Sequence, residues 1–384
     1  MVPQVPTLGS WADLRQQMPV AEQWAYFDHA AVAPLSLPGW QAIEAFVADY
    51  AAHGHVRARD WNRRMAQCRR FGAKLVGADP DEIALVYNTT AGIHLVAEGY
   101  PWEPGDNVVI LASEFPSNRL PWLNLATRGV EVREVANVRE RLDLAEVAKA
   151  CDARTRIVSA SWVGYATGWR NDLDGLAEIA HRRGALVFVD AIQGLGMYPL
   201  DVQATPIDFF AADGHKWLLG PEGAGLFYVR REHLDRLRPL GIGWHSSLHA
   251  GDYSRREFEL KPTAERYEGG SANLMGFAGL AASLELLSSF GPERIGERLI
   301  EITDEACWRL TAIGATIASC RDPGRASGIL SFELPDRDPV EVRRHCLEQQ
   351  VVLSCRDGRL RISPHAYTNT EDLERLCEVL ESAP

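Results

Sequence analysis

Short apolar runs of strand length punctuate the middle of the chain: Ile83–Tyr87, Asn107–Leu111, Val130–Val135, Arg156–Trp162, Ala185–Asp190 and Ile207–Ala211. Between several of them lie stretches with apolar residues at helical spacing, at Asn118–Arg128, Asp143–Cys151 and Asp172–Arg183. Strands alternating with helices predict a mainly parallel sheet covered on both faces. A further strand, Gly223–Arg230, is entered through the turn Gly220-Pro221-Glu222-Gly223-Ala224-Gly225. From about residue 240 the pattern changes. A long aperiodic loop runs to Gly270 and a helical stretch starts at Ala272. Strands then follow at Ile329–Phe332, Val351–Ser354 and Leu360–Ser363, with helices at Pro339–Gln349 and Thr370–Leu380. This reads as an α/β chain with a large domain over 36–255 and a smaller C-terminal α/β domain over 256–384. Residues 1–35 are expected to pack on the small domain. No repeat or low-complexity linker separates them.

Composition narrows the class. With 384 residues, 46% hydrophobic and 24% charged, the chain can bury a large core. Its balance of 40 basic against 52 acidic side chains, a net charge of -12, argues against nucleic acid or an anionic membrane as partner. The seven cysteines are odd in number, scattered and without a CxxC pair, as in a protein that keeps its thiols reduced. The first twenty residues lack a signal-peptide pattern, and no apolar run reaches the ~18–20 residues of a membrane span. A cytoplasmic protein is expected. Only four of the basic residues are lysines, which makes a lysine in apolar surroundings conspicuous.

One such lysine is Lys216, in Asp213-Gly214-His215-Lys216-Trp217, just after the run Asp208–Ala212. Burial there favours the neutral amine that a Schiff-base nucleophile requires; the plain alternative is a solvated turn lysine. A second signal is Asp190, which ends the apolar run Leu186-Val187-Phe188-Val189. Ligands of open α/β sheets bind beyond the carboxyl ends of the strands. A carboxylate at that place can keep a pyridine nitrogen protonated and so make pyridoxal 5'-phosphate (PLP) an electron sink. Strand-terminal aspartates also cap helices or bind metals. Gln193 follows at a distance suited to the edge of the same ring. A third signal is Asn88-Thr89-Thr90-Ala91-Gly92 at the start of a helical stretch, where free N–H groups can hold a phosphate; simple capping is the alternative.

Together these residues carry a resemblance. The ordered set Asn88–Gly92, Ser113-Glu114-Phe115-Pro116-Ser117-Asn118, Ser161–Gly168, Val189–Gln193, Asp213–Trp217 and Arg361-Ile362-Ser363-Pro364-His365 resembles the class V aminotransferase family of fold-type-I PLP enzymes. That group includes cysteine desulfurases, isopenicillin N epimerase-like proteins and kynureninase. The likeness runs from about Tyr26-Phe27-Asp28-His29-Ala30-Ala31 to Arg361-Ile362-Ser363-Pro364-His365, nearly the whole chain. It implies a seven-stranded, mainly parallel sheet, a smaller C-terminal domain and a homodimer with a shared active site. It also implies that Lys216 bonds the cofactor aldehyde as the catalytic residue, that Asp190 pairs with the pyridine nitrogen and that Gln193 contacts the ring oxygen. Thr89, Thr90 and His215 would surround the phosphate, with Asp213 in the same cofactor set. Ser271 would reach the phosphate of the neighbouring subunit, and Arg361 would bind the substrate carboxylate. His29, Tyr165, Trp244 and His245 are candidates for the pocket lining, and no metal is expected.

Departures from the family pattern bear on the reaction. Phe115 stands where many relatives place a histidine over the cofactor; it stacks but moves no proton. The stretch after Arg361 has no cysteine, and Cys355 lies in a strand-like run, which disfavours sulfur transfer to a protein thiol. Gly164 stands where relatives often present a polar side chain. His53-Gly54-His55 has no ligand partners at metal spacing, and Gly194-Leu195-Gly196 lacks the third glycine of a dinucleotide fingerprint. The expected activity is α-proton abstraction from an amino-acid-like substrate ending in transamination. β-Elimination with C–S cleavage and epimerisation are the alternatives, and a non-catalytic protein that keeps the fold is the reading from another class.

Overall fold

The computed structural model describes residues 9–137 and 140–384, so residues 1–8 of the expected N-terminal segment lie outside it. Seven strands pair into one sheet: β1 Ile83–Val86, β2 Asn107–Leu111, β3 Glu131–Val135, β4 Thr155–Ser161, β5 Leu186–Asp190, β6 Phe209–Asp213 and β7 Gly225–Val229. Their order is β1-β7-β6-β5-β4-β2-β3, and neighbours run parallel except that β7 is antiparallel to both β1 and β6. Every residue of β1, β2, β5, β6 and β7 is buried. Strands covered on both faces need apolar side chains at successive positions, so their sequences run apolar without alternation. The edge strand β3 instead carries Glu131, Arg133 and Glu134, charges that discourage pairing with another chain.

Two sequence-based boundaries shift for visible reasons. The run Ile207–Ala211 becomes a strand only at Phe209, and Asp208 just before it bonds through its carboxylate to Val187 N–H (2.7 Å), His181 Nε2 (2.9 Å) and His233 Nε2 (2.7 Å). The strand ends on Asp213, which pairs with Gly225. The stretch Asn118–Arg128 breaks into a short α-helix, Leu120–Asn124, and a 3₁₀ turn, with Pro121 in its first turn.

Helices α1 Leu37–His53 and α2 Ala58–Leu75 precede the sheet, and the sequence pattern did not single them out. His53-Gly54-His55 spans the exposed end of α1, with Gly54 at φ 56° as its cap, and the 3₁₀ turn that follows. Within the sheet's crossovers, α3 Thr89–Ala97 follows β1 and α4 Leu173–Arg182 follows β4. Beyond the sheet come α5 Leu274–Ser288, α6 Pro292–Ala312, α7 Pro339–Glu348 and α8 Thr370–Ser382. Helix α5 packs against α1 and α2, and its Phe277, Leu280, Ala281 and Leu284 share one core with Val189, Trp217 and Leu218. The expected division at 255/256 thus falls ahead of a helix that packs with the large layer. Helix α6 starts in that core with Ile295 and Leu299 and ends in a second one with Ile302, Ala306 and Leu310. We propose a division within α6 instead.

The smaller sheet is antiparallel: β8 Thr316–Ile317, β9 Leu330–Glu333, β10 Ser354–Arg356 and β11 Arg359–Ile362, in the order β10-β11-β9-β8. The expected strand Val351–Ser354 divides here. Val351–Val352 pairs in parallel with Ala25–Tyr26 of the N-terminal segment, and Ser354 begins β10. Phe27 lies in the second core, and Arg15 pairs with Asp372 of α8 at 2.6 Å. No single helix among the described residues is long and apolar enough to cross a membrane.

Candidate active site

The carboxyl ends of β4, β5 and β6 and the N-terminus of α3 converge on a cavity of about 320 Å3. Its walls include Thr89, Thr90, Phe115, Asp190, Gln193, Asp213, His215, Lys216 and Arg361, with Ser161, Tyr165 and Arg356. Residues from all six motifs meet here: five because strands of the large sheet deliver their C-terminal residues to one edge, and Arg361 from the small sheet.

The anion-binding end is built by α3. The Asn88 side chain caps it by accepting from Ala91 N–H at 2.8 Å, and the other first-turn N–H groups have no partner within the helix. Thr89 Oγ1 accepts from the Asp213 N–H at 3.0 Å, which locks this helix end to the end of β6. Asp213 Oδ1 accepts from Gly214 N–H, and Oδ2 lies 2.9 Å from His215 Nδ1. Free amides, two hydroxyls and a histidine form a donor set that suits a phosphate.

At the other end Asp190 is almost wholly buried, with Oδ1 accepting from Ile192 N–H at 3.1 Å. Burial pushes its pKa up to about 6. Lys216 is shifted in the opposite direction. Desolvation pulls its amine down to about 8, against the attraction of Asp190 and helped by the nearby positive charge of Arg361. A low-dielectric cavity thus holds an amine that is easily neutral and a carboxyl with no cation at ion-pair distance among the described residues, an arrangement that a pyridinium-bearing aldehyde would complete.

Phe115 lies with its ring centroid 5.8 Å from Lys216 Nζ and edge-on to Tyr165. Gln193 donates from Nε2 to Ala30 O at 2.9 Å and accepts at Oε1 from Trp217 Nε1 at 2.8 Å. Its second amide N–H is left for a ring oxygen. Arg361 is about 1% exposed. It donates from Nε to Ser354 Oγ (3.0 Å), from Nη1 to Tyr165 O (2.5 Å) and from Nη2 to Asp28 Oδ1 (3.0 Å). Each terminal nitrogen keeps one further N–H.

Other expected residues lie elsewhere. His29 is fully buried behind the wall; Nδ1 meets Ser363 O and Nε2 meets Tyr367 Oη, both at 2.9 Å, so it braces the small lobe instead of lining the pocket. Ser271 is exposed beside a different cavity, with Tyr87, His94 and Gly270. Trp244 and His245 also lie away from the Lys216 cavity, while Tyr165 lines it. Cys355 is not in the wall either, and burial raises its thiol pKa.

Two carboxylates went unnoticed in the sequence. Glu114 is buried beside the cavity, accepting from Ser161 N–H at 2.7 Å and from the Ser161 hydroxyl; burial pushes it up to about 7. Glu140 accepts from Ala166 N–H, Thr167 N–H and the Thr167 hydroxyl. It also explains Gly164: a Cβ there would collide with the Glu140 carboxylate. Neither has a sequence signature, because each acts on groups distant in sequence, Glu114 on the end of β4 and Glu140 on the loop after it.

A family model described as Aminotransferase class-V matches residues 25–376. A probable cysteine desulfurase of Methanothermobacter thermautotrophicus is 32% identical over 96% of this chain and 97% of its own. Isopenicillin N epimerase of Streptomyces clavuligerus is 29% identical over 98% of each. Among solved structures, the apo cysteine desulfurase from Thermococcus onnurineus NA1 superposes with a TM-score of 0.88 at 27% identity, covering 96% of both chains.

Proposed function

The chain belongs to the class V aminotransferase family of PLP-dependent enzymes, and from that premise we propose that it cleaves a carbon–sulfur bond in a cysteine-derived amino acid. The observation that carries the reading is the placement of the Lys216 amine and the Asp190 carboxyl in one desolvated cavity. The residues fit PLP. Thr89, Thr90, the α3 amides and His215 would hold its phosphate, Asp190 its ring nitrogen, Gln193 its ring oxygen and Phe115 its face. When bound, PLP supplies an aldehyde for the lysine and a ring that accepts electron pairs from the substrate's α-carbon.

The protein's own groups do the rest. Arg361 would orient the substrate carboxylate with its two remaining N–H groups. Lys216 Nζ, its pKa drawn down to about 8 by burial, would take the α-proton in its neutral form. Asp190, ionised opposite a pyridinium, would hold the proton on the ring nitrogen. Phe115 and Tyr165 would cover that face and exclude water. The net reaction converts R–S–CH2–CH(NH3+)–COO− and water into R–SH, pyruvate and ammonium.

Transamination is what the motifs suggested. Elimination is preferred because the most similar relatives named above include cysteine desulfurases. No cysteine lines the cavity among the described residues, so sulfur would leave with the small thiol. The homodimer belongs to the same proposal: Ser271 stands outside the Lys216 cavity on a face that exposes Tyr87, Trp244 and Met275, and a partner's cavity would give it a phosphate. Incubating the PLP-loaded protein with S-alkyl cysteines tests the reaction. Equimolar pyruvate, ammonia and thiol are expected. Keto acid with the sulfur retained would replace elimination by transamination, and racemised substrate alone would replace it by epimerisation.

A further inference from the structure

Arg356 ends β10 and lines the same cavity as Lys216, and the sequence reading gave it no role. Its Nη1 donates to Cys355 O at 2.8 Å, and no carboxylate among the described residues stands within ion-pair distance of it. Arg361 makes the contrast. Its charge is balanced by Asp28 and its three nitrogens all donate to protein oxygens. The positive charge of Arg356 reaches both Lys216 and Arg361, whose protonation it disfavours. Carboxylates close to that wall are otherwise occupied or outside it. Glu140 is held by Ala166 and Thr167, and Asp357 is exposed in the turn between β10 and β11.

A half-buried guanidinium facing a cavity without a counter-ion is a site for an anion. The phosphate belongs at the α3 end and the α-carboxylate at Arg361, so Arg356 is left over. We infer that Arg356 binds a second acidic group on the substrate, so that the enzyme selects amino acids whose distal end carries a carboxylate or similar anion. For the reaction above, this means a cysteine thioether with an acidic S-substituent. The inference rests on the proposed amino-acid chemistry of this cavity.

The test uses PLP-loaded protein and two readouts. In the first, succinate and glutarate compete with butyrate and valerate for the pocket, followed by the shift of the cofactor's visible band. The dicarboxylates are expected to bind at least tenfold tighter. Arg356→Gln should abolish that preference while leaving monocarboxylate affinity within twofold, and Arg356→Lys should retain part of it. In the second, kcat/KM for S-carboxymethylcysteine should exceed that for S-propylcysteine in the wild type but not in Arg356→Gln. Retention of the wild-type visible band by the variant shows that its fold and cofactor site are intact. Equal binding of both acid classes by the wild type overturns the inference, as does an equal loss for both in Arg356→Gln. A wild-type protein that takes up no PLP overturns instead the reading on which it rests.

Discussion

Lys216 shows how a residue can be legible in sequence while its setting is not. A rare lysine between glycine and aromatic neighbours marked the site. Its shift comes first from burial, and is then opposed by Asp190 and helped by Arg361, which reach it from 26 residues before and 145 residues after. With its pKa near 8, about a tenth of the amine is neutral at pH 7, against less than a thousandth for an ordinary lysine. The neutral form is the nucleophile, so the rate of PLP uptake by the apoprotein should rise roughly tenfold per unit up to about pH 8 and then level. A rise continuing to pH 10 would mean that burial does not depress the amine. Asp190→Ala should keep the covalent cofactor yet lower turnover by roughly 10²-fold or more, since the ring nitrogen then loses its proton-holding partner. Unchanged turnover in steady-state assays would remove Asp190 from the chemistry. Glu114 and Glu140 escaped sequence reading for a different reason. Each carboxylate is defined by the backbone amides it satisfies, and those become neighbours only once β4 and its following loop are in place.

At the scale of elements, the pattern of apolar runs gave the sheet to within a residue or two, because strands buried on both faces leave a continuous signature. Helices α1, α2 and α6 were less legible. Helix α2 carries arginines over most of its surface and buries only a narrow stripe including Trp61, Met65, Cys68 and Ala73. The amino ends of the strands, opposite the cavity, are braced by Asp208, which joins β5, α4 and the turn at His233. Its carboxylate is held down to about 2 by the two histidines and the Val187 amide, which outweigh burial, and His181 is raised in return. The depressed acid contributes stability that is full above the ordinary carboxylate range and lost as pH falls toward 2. The raised histidine contributes stability that is full below its unfolded value and lost as pH rises through its folded one. Asp208→Ala should cost about 3 kcal/mol or more, because it strands buried donors. Urea denaturation at pH 6 measures this, and a cost under about 1 kcal/mol would show the brace to be unimportant.

For the whole molecule, two lobes meet along α6 and the N-terminal segment, and Asp28 of that segment holds Arg361 of the small sheet. The cavity therefore depends on both lobes, which the sequence indicated only through the order of its motifs. The proposed division within α6 has no mark in the sequence, because α5 reads only as an apolar helical stretch until it is seen to lie against α1, α2 and the core around Trp217. The proposed homodimer makes its own prediction. Sedimentation at micromolar concentration should give twice the 42.6 kDa chain mass, and Ser271→Ala should weaken PLP binding several-fold without dissociating the dimer. A monomer that binds PLP at full affinity would contradict the shared site.

The most direct test of the account is to reduce the PLP-loaded protein with borohydride, digest it and locate the modified peptide by mass spectrometry. The account predicts one pyridoxyl adduct, on the ε-nitrogen of Lys216, absent from Lys216→Ala. An adduct on Lys74, Lys149 or Lys261 alone, or none at all, would contradict it.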